Sequence, residues 1–188
     1  RIYEGLRSGI FIYDNGLGTI ENNDIYENVL PGIQIKNKAN PVIRNNSIYQ
    51  GKNTGIFINE SGLGTIEGND IFQHATSGIT ITTKANPIIT NNQIHEGNDA
   101  GIYIYEEGLG IIESNTIYNN QYNGILIDRR GNPTVRNNSI QRNQGAGVCA
   151  RDEALGTFEG NKFSGNSEGE WNISSDSNIT RKKKSWWQ

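Results

Sequence analysis

The strongest constraint in this chain is an internal repeat of 23 residues. Written in rows of that length, its 188 residues give eight rows and a short remainder, with no insertion anywhere. The rows begin at Arg1, Asp24, Ser47, Asp70, Gln93, Thr116, Ser139 and Lys162. Four columns are apolar. The second runs from Ile2 and Ile25 to Phe163, the tenth from Ile10 and Ile33 to Trp171, and the twelfth from Ile12 and Ile35 to Ile173. The twentieth runs from Ile20 and Ile43 to Phe158 and breaks at Arg181. Thirty-one of these thirty-two sites are apolar, so the columns must face a core.

Within each row the apolar residues alternate with polar ones for only three or four positions before Gly, Asn or Pro intervenes. In residues 9–13, Ile10 and Ile12 point one way and Phe11 and Tyr13 the other. Three such short strands fill a row and leave no room for a helix. The fold expected is therefore all-β, a right-handed parallel β-helix of about eight coils, 23 residues and three strands per coil. Stacking at about 4.8 Å makes a rod about 35–40 Å long. It forms a single domain over 1–180, with a degenerate capping coil at 162–184 and a basic, aromatic tail at 181–188. Trp186 or Trp187 is expected to cover the open end of the core.

Other columns fit the same stack. Gly recurs at 9, 32, 55, 78, 101, 124 and 147, and is expected to supply a permissive backbone. Asn recurs at 23, 46, 69, 92, 115, 138 and 161, where stacked amides can bond from coil to coil. A 46-residue period overlies the first: odd rows carry Gly-Leu-Gly and even rows Asn-Pro. The twenty-first column alternates charge through Glu21, Arg44, Glu67, Thr90, Glu113, Arg136 and Glu159, which sets acid against base between neighbouring coils.

Composition excludes several classes. A net charge of -3 argues against a generally basic nucleic-acid binder. The single Cys149 rules out an internal disulfide and a cysteine-built zinc cluster. No apolar run reaches the length of a membrane helix, and no signal peptide is read. The chain has no Met and opens at Arg1, as a fragment or processed product would. The compartment stays open, with a lean to the cytoplasm.

The alternation of GIxIxxxGxGxIExNxI with GIxIxxxxNPxIRNNxI over residues 1–161 resembles the CASH-type β-helix of carbohydrate-binding proteins and sugar hydrolases. It is most similar to the β-helix of F-box substrate adaptors and related bacterial proteins. That resemblance implies the fold, and substrate or partner binding by the helix surface. An enzyme of this kind would present its catalytic groups on the outer face of one sheet, from neighbouring coils.

The richest carboxylate collection occupies the fourteenth and fifteenth columns: Asp14, Glu60, Glu106, Glu107, Asp152 and Glu153, with Lys38, Lys84, Arg129 and Arg130 in the intervening rows. A charge-alternating ladder accounts for most of it. Glu106, Glu107 and Asp128 are the catalytic candidates, as a small acidic pocket. His74 and His95 are expected at the surface, with His95 replacing an aromatic in its column; no metal site and no cofactor follow from them. Cys149 falls in an outward column and is expected to be an inert surface thiol.

Outward aromatics carry the binding expectation. The third column stacks Tyr3, Tyr26, Tyr49, Phe72, His95 and Tyr118, which cross-strand stacking explains. Phe11, Phe57 and Tyr103 of the eleventh column lie two coils apart, and with Tyr13 and Tyr105 they make either an exposed platform or sheet packing. The leading expectation is a non-catalytic recognition module that binds a protein partner through this face. The alternative is a carbohydrate-binding or polysaccharide-degrading β-helix, lyase or hydrolase; a third is a rigid spacer. A partner or an end-to-end neighbouring subunit is expected at the uncapped first coil.

Overall fold

The computed structural model describes residues 1–182. Residues 183–188, with Trp186 and Trp187, lie outside the described residues. Each 23-residue row makes one circuit, and twenty-four strands and no helix occur among the described residues. The strands form three eight-stranded parallel sheets. Sheet A runs from Ile2–Tyr3 to Lys162–Ser164, sheet B from Ile10–Ile12 to Trp171–Ile173, and sheet C from Thr19–Glu21 to Asn178–Lys182.

Register is constant. Ile25 pairs with Ile48, Ile56 with Ile79, and Ile89 with Ile112, each a full coil apart. A strand of three residues has no hydrogen-bond partner within its own coil, so its backbone groups are satisfied by the coils on either side. The four apolar columns fill the lumen, and Ile25, Ile56, Ile79, Ile104 and Ile117 are fully buried. In the last coil the core contact moves within its strand. Arg181 pairs with Phe158 in register, but its guanidinium lies 5.3 Å from the centre of the Trp171 ring, and Ile179 packs on the core. Phe158, Phe163 and Trp171 pack edge to face or tilted at that end.

The Asn column is an amide ladder. Asn92 donates from its Nδ2 to the carbonyls of Ile66 and Thr90 and to Oδ1 of Asn115, while its own Oδ1 accepts from the backbone and side chain of Asn69. The left-handed residue of this turn is the one before it, at Asn22, Asn45, Asn91, Asn137 and their equivalents. The glycine column likewise has a different cause from the one expected. Gly55 is not left-handed; a Cβ there would lie 2.6 Å from the Gly78 carbonyl and 2.8 Å from Ile71, so the position is closed by close approach of the next coil. The Gly/Pro double period sits at the eighteenth column. Gly64 has φ 115°, between coils carrying Pro41 and Pro87, and the N–H donors of the inter-coil bonds there come from the residues on either side, as from Val42 N to Gly18 O. Proline costs no ladder bond at such a position.

Two expectations fail through burial. His74 is interior: Gly51 N–H donates to its Nδ1 at 3.2 Å, and Nε2 lies 3.0 Å from Ile48 O, which places the proton on Nε2. The imidazole thereby imitates the amides of Asn28, Asn120 and Asn143, a second ladder at the fifth column that the sequence reading missed. Cys149 packs with Ala100 and Leu126 and is buried, because the groove side of sheet B is covered there. His95 stacks between Phe72 and Tyr118 at 5.1 and 4.6 Å, within the aromatic column.

Replacing Asn92 by Ala strands the buried Asn69 N–H and removes one hydrogen bond each from the Ile66 and Thr90 carbonyls, and is expected to cost at least about 2 kcal/mol in denaturant unfolding. Burial pushes the His74 pKa down from 6.5 to about 4, only partly offset by the Ile48 carbonyl. Above pH 6.5 the residue is neutral in both states. Between pH 6.5 and 4 the unfolded chain takes up the proton and the folded chain does not, so stability falls with pH. A loss on the order of 3 kcal/mol is expected over that window. His74→Asn, which restores the amide, should remove it when unfolding is compared at pH 7 and pH 4.5.

Candidate functional site

The turn leaving sheet B holds two successive residues per coil in the left-handed region, for example Glu106 (φ 49°) and Glu107 (φ 60°), then Arg129 (φ 42°) and Arg130 (φ 61°). Such backbone is costly for residues with a Cβ. Coil-to-coil bonds hold it, as from Glu107 N to Arg129 O and Arg130 N to Asp152 O. The result is a double row of charged side chains along the rod.

That row bounds a groove of about 680 Å³ lined by Lys84, Glu106, Glu107, Arg129, Arg130 and Asp152 among others. Arg129 Nη1 lies 3.3 Å from Glu106 Oε1, and Glu107 meets Lys84 at 3.3 Å and Arg130 at 3.6 Å. Cations therefore sit between the carboxylates that the sequence reading grouped as an acidic pocket. Asp128 is not in the lining. It is 3% exposed and lies beneath, on the sheet B side.

Around Asp128 the structure assembles a tight cluster. The Tyr103 hydroxyl donates to its Oδ2 at 3.0 Å, Arg151 donates to the same oxygen at 3.2 Å, and Arg129 Nη2 donates to the Tyr103 oxygen at 3.2 Å. Among the described residues Oδ1 has no hydrogen-bond partner, and Arg129 Nε lies 3.9 Å from it. Burial pushes the Asp128 carboxyl up, but the hydrogen bonds of Asp152, Tyr103 and Arg151 outweigh it and hold the group below the ordinary carboxylate range. Asp152 is raised by the neighbouring Asp128 carboxylate. Burial raises the Tyr103 hydroxyl, against the opposing pull of Arg129.

A second groove, of about 460 Å³, runs along sheet B beside this cluster. Its walls are Phe57, Tyr103 and Tyr105, and its polar lining includes Gln34, Thr54, Thr76 and Thr80. The eleventh-column aromatics are two coils apart; Tyr103 and Phe11 stack instead on the thirteenth-column ring of their own coils, whereas the coil of Phe57 carries Asn59 there. Tyr103 meets Tyr105 at 4.6 Å, and Phe11 meets Tyr13 at 4.9 Å. Phe57, Tyr103 and Tyr105 thus share one groove, whereas Phe11 and Tyr13, about half exposed, stand apart in the first coil. Arg129 lies 4.7 Å over the Tyr105 ring and joins the two grooves. Arg151, Thr54 and Thr76 were missed. The signal for Arg151 was the offset of two between the eleventh and thirteenth columns, which places it on one outward face with Tyr103 and Thr80; Thr54 and Thr76 come from the turn before sheet B, where strand alternation gives no signal.

A parallel β-solenoid with aromatic and charged grooves along its outer face is the class these features define. The match of the right-handed beta helix region to residues 1–108 and 64–183 covers most of the chain, so the chain belongs to that family. The narrower relation to F-box adaptors or CASH-type domains is not part of that match. Among solved structures, the periplasmic alginate epimerase AlgG superposes with a TM-score of 0.83 at 19% identity, over 93% of this chain and 47% of that one. The A-module of the mannuronan C-5 epimerase AlgE6 from Azotobacter vinelandii gives 0.75 at 20% identity, over 94% and 57%. An alginate lyase from Paenibacillus sp. str. FPU-7 gives 0.65 at 15% identity, over 91% and 76%. The chain spans about half the length of the epimerases it matches.

These neighbours are polysaccharide-modifying β-helix proteins, and that finding overturns the leading expectation of a non-catalytic module for a protein partner. No helix among the described residues is long and apolar enough to cross a membrane.

Burial raises the Cys149 thiol above its ordinary pKa. In the native protein it is expected to react with a disulfide reagent at pH 7 at least about tenfold more slowly than in the denatured chain, measured as thiolate release.

Proposed function

We propose that this β-helix is a carbohydrate-active protein that takes a uronate-containing polysaccharide along sheet B. The observation that carries the reading is the stacked Tyr103–Tyr105 pair, set where the hydroxyl-lined groove meets Arg129. Stacked rings offer apolar faces to a pyranose, and phenol hydroxyls keep a polar handle for its edge. Coils rise by about 4.8 Å, comparable to the advance of one sugar residue, so an extended glycan parallel to the axis meets equivalent positions coil after coil. The epimerases and the lyase that share the coil act on alginate-type substrates by their names, which supports an acidic glycan.

Modification of the glycan is a second reading, favoured by the Asp128 cluster. Tyr103 holds a hydroxyl between a carboxylate and a guanidinium, and Arg129 and Arg151 offer positive charge beside it. A proton on a carbon next to a uronate carboxylate becomes labile when that carboxylate is neutralised, and Tyr103 would take it as its own hydroxyl proton passes to Asp128 Oδ2.

Titrating uronate-containing glycans by calorimetry tests both. The double variant Tyr103→Ala/Tyr105→Ala is expected to lose at least about tenfold in affinity while its melting curve stays cooperative; unchanged affinity rejects the binding reading. Tyr103→Phe should keep affinity but abolish any C-5 inversion or chain cleavage seen by NMR; full turnover in that variant rejects the second reading.

A further inference from the structure

The two grooves differ in charge, and the difference follows the rod axis. Over the second, third and fourth coils the sheet B groove carries hydroxyls and one aromatic ring: Thr54 Oγ1 lies 2.9 Å from Thr76 Oγ1 and 3.3 Å from Thr80 Oγ1, with Phe57 beside them. Its lining contains no Lys or Arg, and its one carboxylate, Asp99, accepts from Ser77 Oγ at 3.2 Å. Beyond Tyr103 and Tyr105, in the sixth and seventh coils, come Arg129, Arg130 and Arg151, with side chains roughly half exposed. Among the described residues, Lys36 is the cation on this face of the second coil, and it lies outside the lining, 3.3 Å from Glu60, so a uronate carboxylate in the threonine half meets no free cation on the groove floor. Threonine hydroxyls that can each donate or accept match the hydroxyls of an uncharged pyranose, which do the same. Leaving a carboxylate desolvated over that floor would be costly.

We infer that the substrate is a mixed glycan, with uncharged sugars seated over Thr54, Thr80 and Phe57 and a uronate at Arg129 and Arg151, and not a uniform polyuronate. The groove from the second to the fifth coil is about 14 Å long, room for roughly three pyranoses before the cationic segment. The inference rests on the polysaccharide reading above and narrows it to one composition. Thr54 and Thr80 are almost fully buried and form the groove floor, so they select by hydrogen bonding where surface residues would not.

Calorimetry with three hexasaccharides of equal length tests it: cello-oligosaccharide, oligomannuronate, and a block oligomer of three glucoses joined to three glucuronates. The block oligomer is expected to bind at least tenfold more tightly than either uniform one. Thr80→Val, which keeps shape and removes only the hydroxyl, should weaken the block oligomer and cello-oligosaccharide about tenfold and leave oligomannuronate unchanged. Arg129→Ala/Arg151→Ala should weaken the two acidic oligomers and spare cello-oligosaccharide; thermal melts of each variant confirm that it is folded. Oligomannuronate binding as tightly as the block oligomer, or falling equally in Thr80→Val, overturns the mixed-glycan inference and leaves the polysaccharide reading standing. Failure of all three to bind overturns both.

Discussion

Hydrogen bonding from each coil to the next is the interaction on which everything else rests. A three-residue strand cannot satisfy its own backbone, and no coil has a partner except the coils above and below it. Ile33 N bonds Gly55 O, Ile56 N bonds Gly78 O, and Ile79 N bonds Gly101 O, a chain of bonds with one fixed step. The amide ladder adds side-chain bonds at the same step, and the fully buried isoleucines add apolar contact within it. A one-residue slip would turn Ile into the solvent and a polar neighbour into the lumen at every strand, so the register has no near competitor.

That rigid step explains how charged residues come to occupy left-handed backbone. At Glu106, Glu107, Arg129 and Arg130 the turn geometry is imposed by the coils on either side, and the side chains are left to point outward. The same turn column then holds acid in one coil and base in the next, and the groove that results has alternating partners in place of a single acidic focus. Asp128 differs because its column faces sheet B, where Tyr103 and Arg151 cover it. Its neighbours determine its charge state: without their hydrogen bonds, burial alone would favour the neutral acid.

The aromatic groove depends on two lengths at once. Rings in one column of alternate coils are too far apart to touch, but residues two apart in one strand share a face, so Tyr103 finds Tyr105. In sheet A each of the first six coils supplies a ring, and the column stacks continuously from Tyr3 through His95 to Tyr118. One sheet therefore spends its aromatics on its own stability, while the other presents them beside open polar surface.

The amino-acid order alone determined the coil length, the four core columns, the parallel stack, the amide ladder and the stacking of His95, because each is a periodic property that any one row displays. It also placed Tyr103, Tyr105, Glu106 and Asp128 in columns of chemical interest. Only the folded molecule decided what those columns touch. His74 and Cys149 were expected at the surface but are buried, His74 in a ladder position and Cys149 on the outer face of sheet B beneath Leu126 and Tyr103, since burial depends on how neighbouring side chains and turns cover a column and not on strand alternation alone. Asp128 parted from Glu107 and joined Tyr103 and Arg151 because side chains reach across coils and across the sheet–turn boundary, a distance that sequence spacing does not encode.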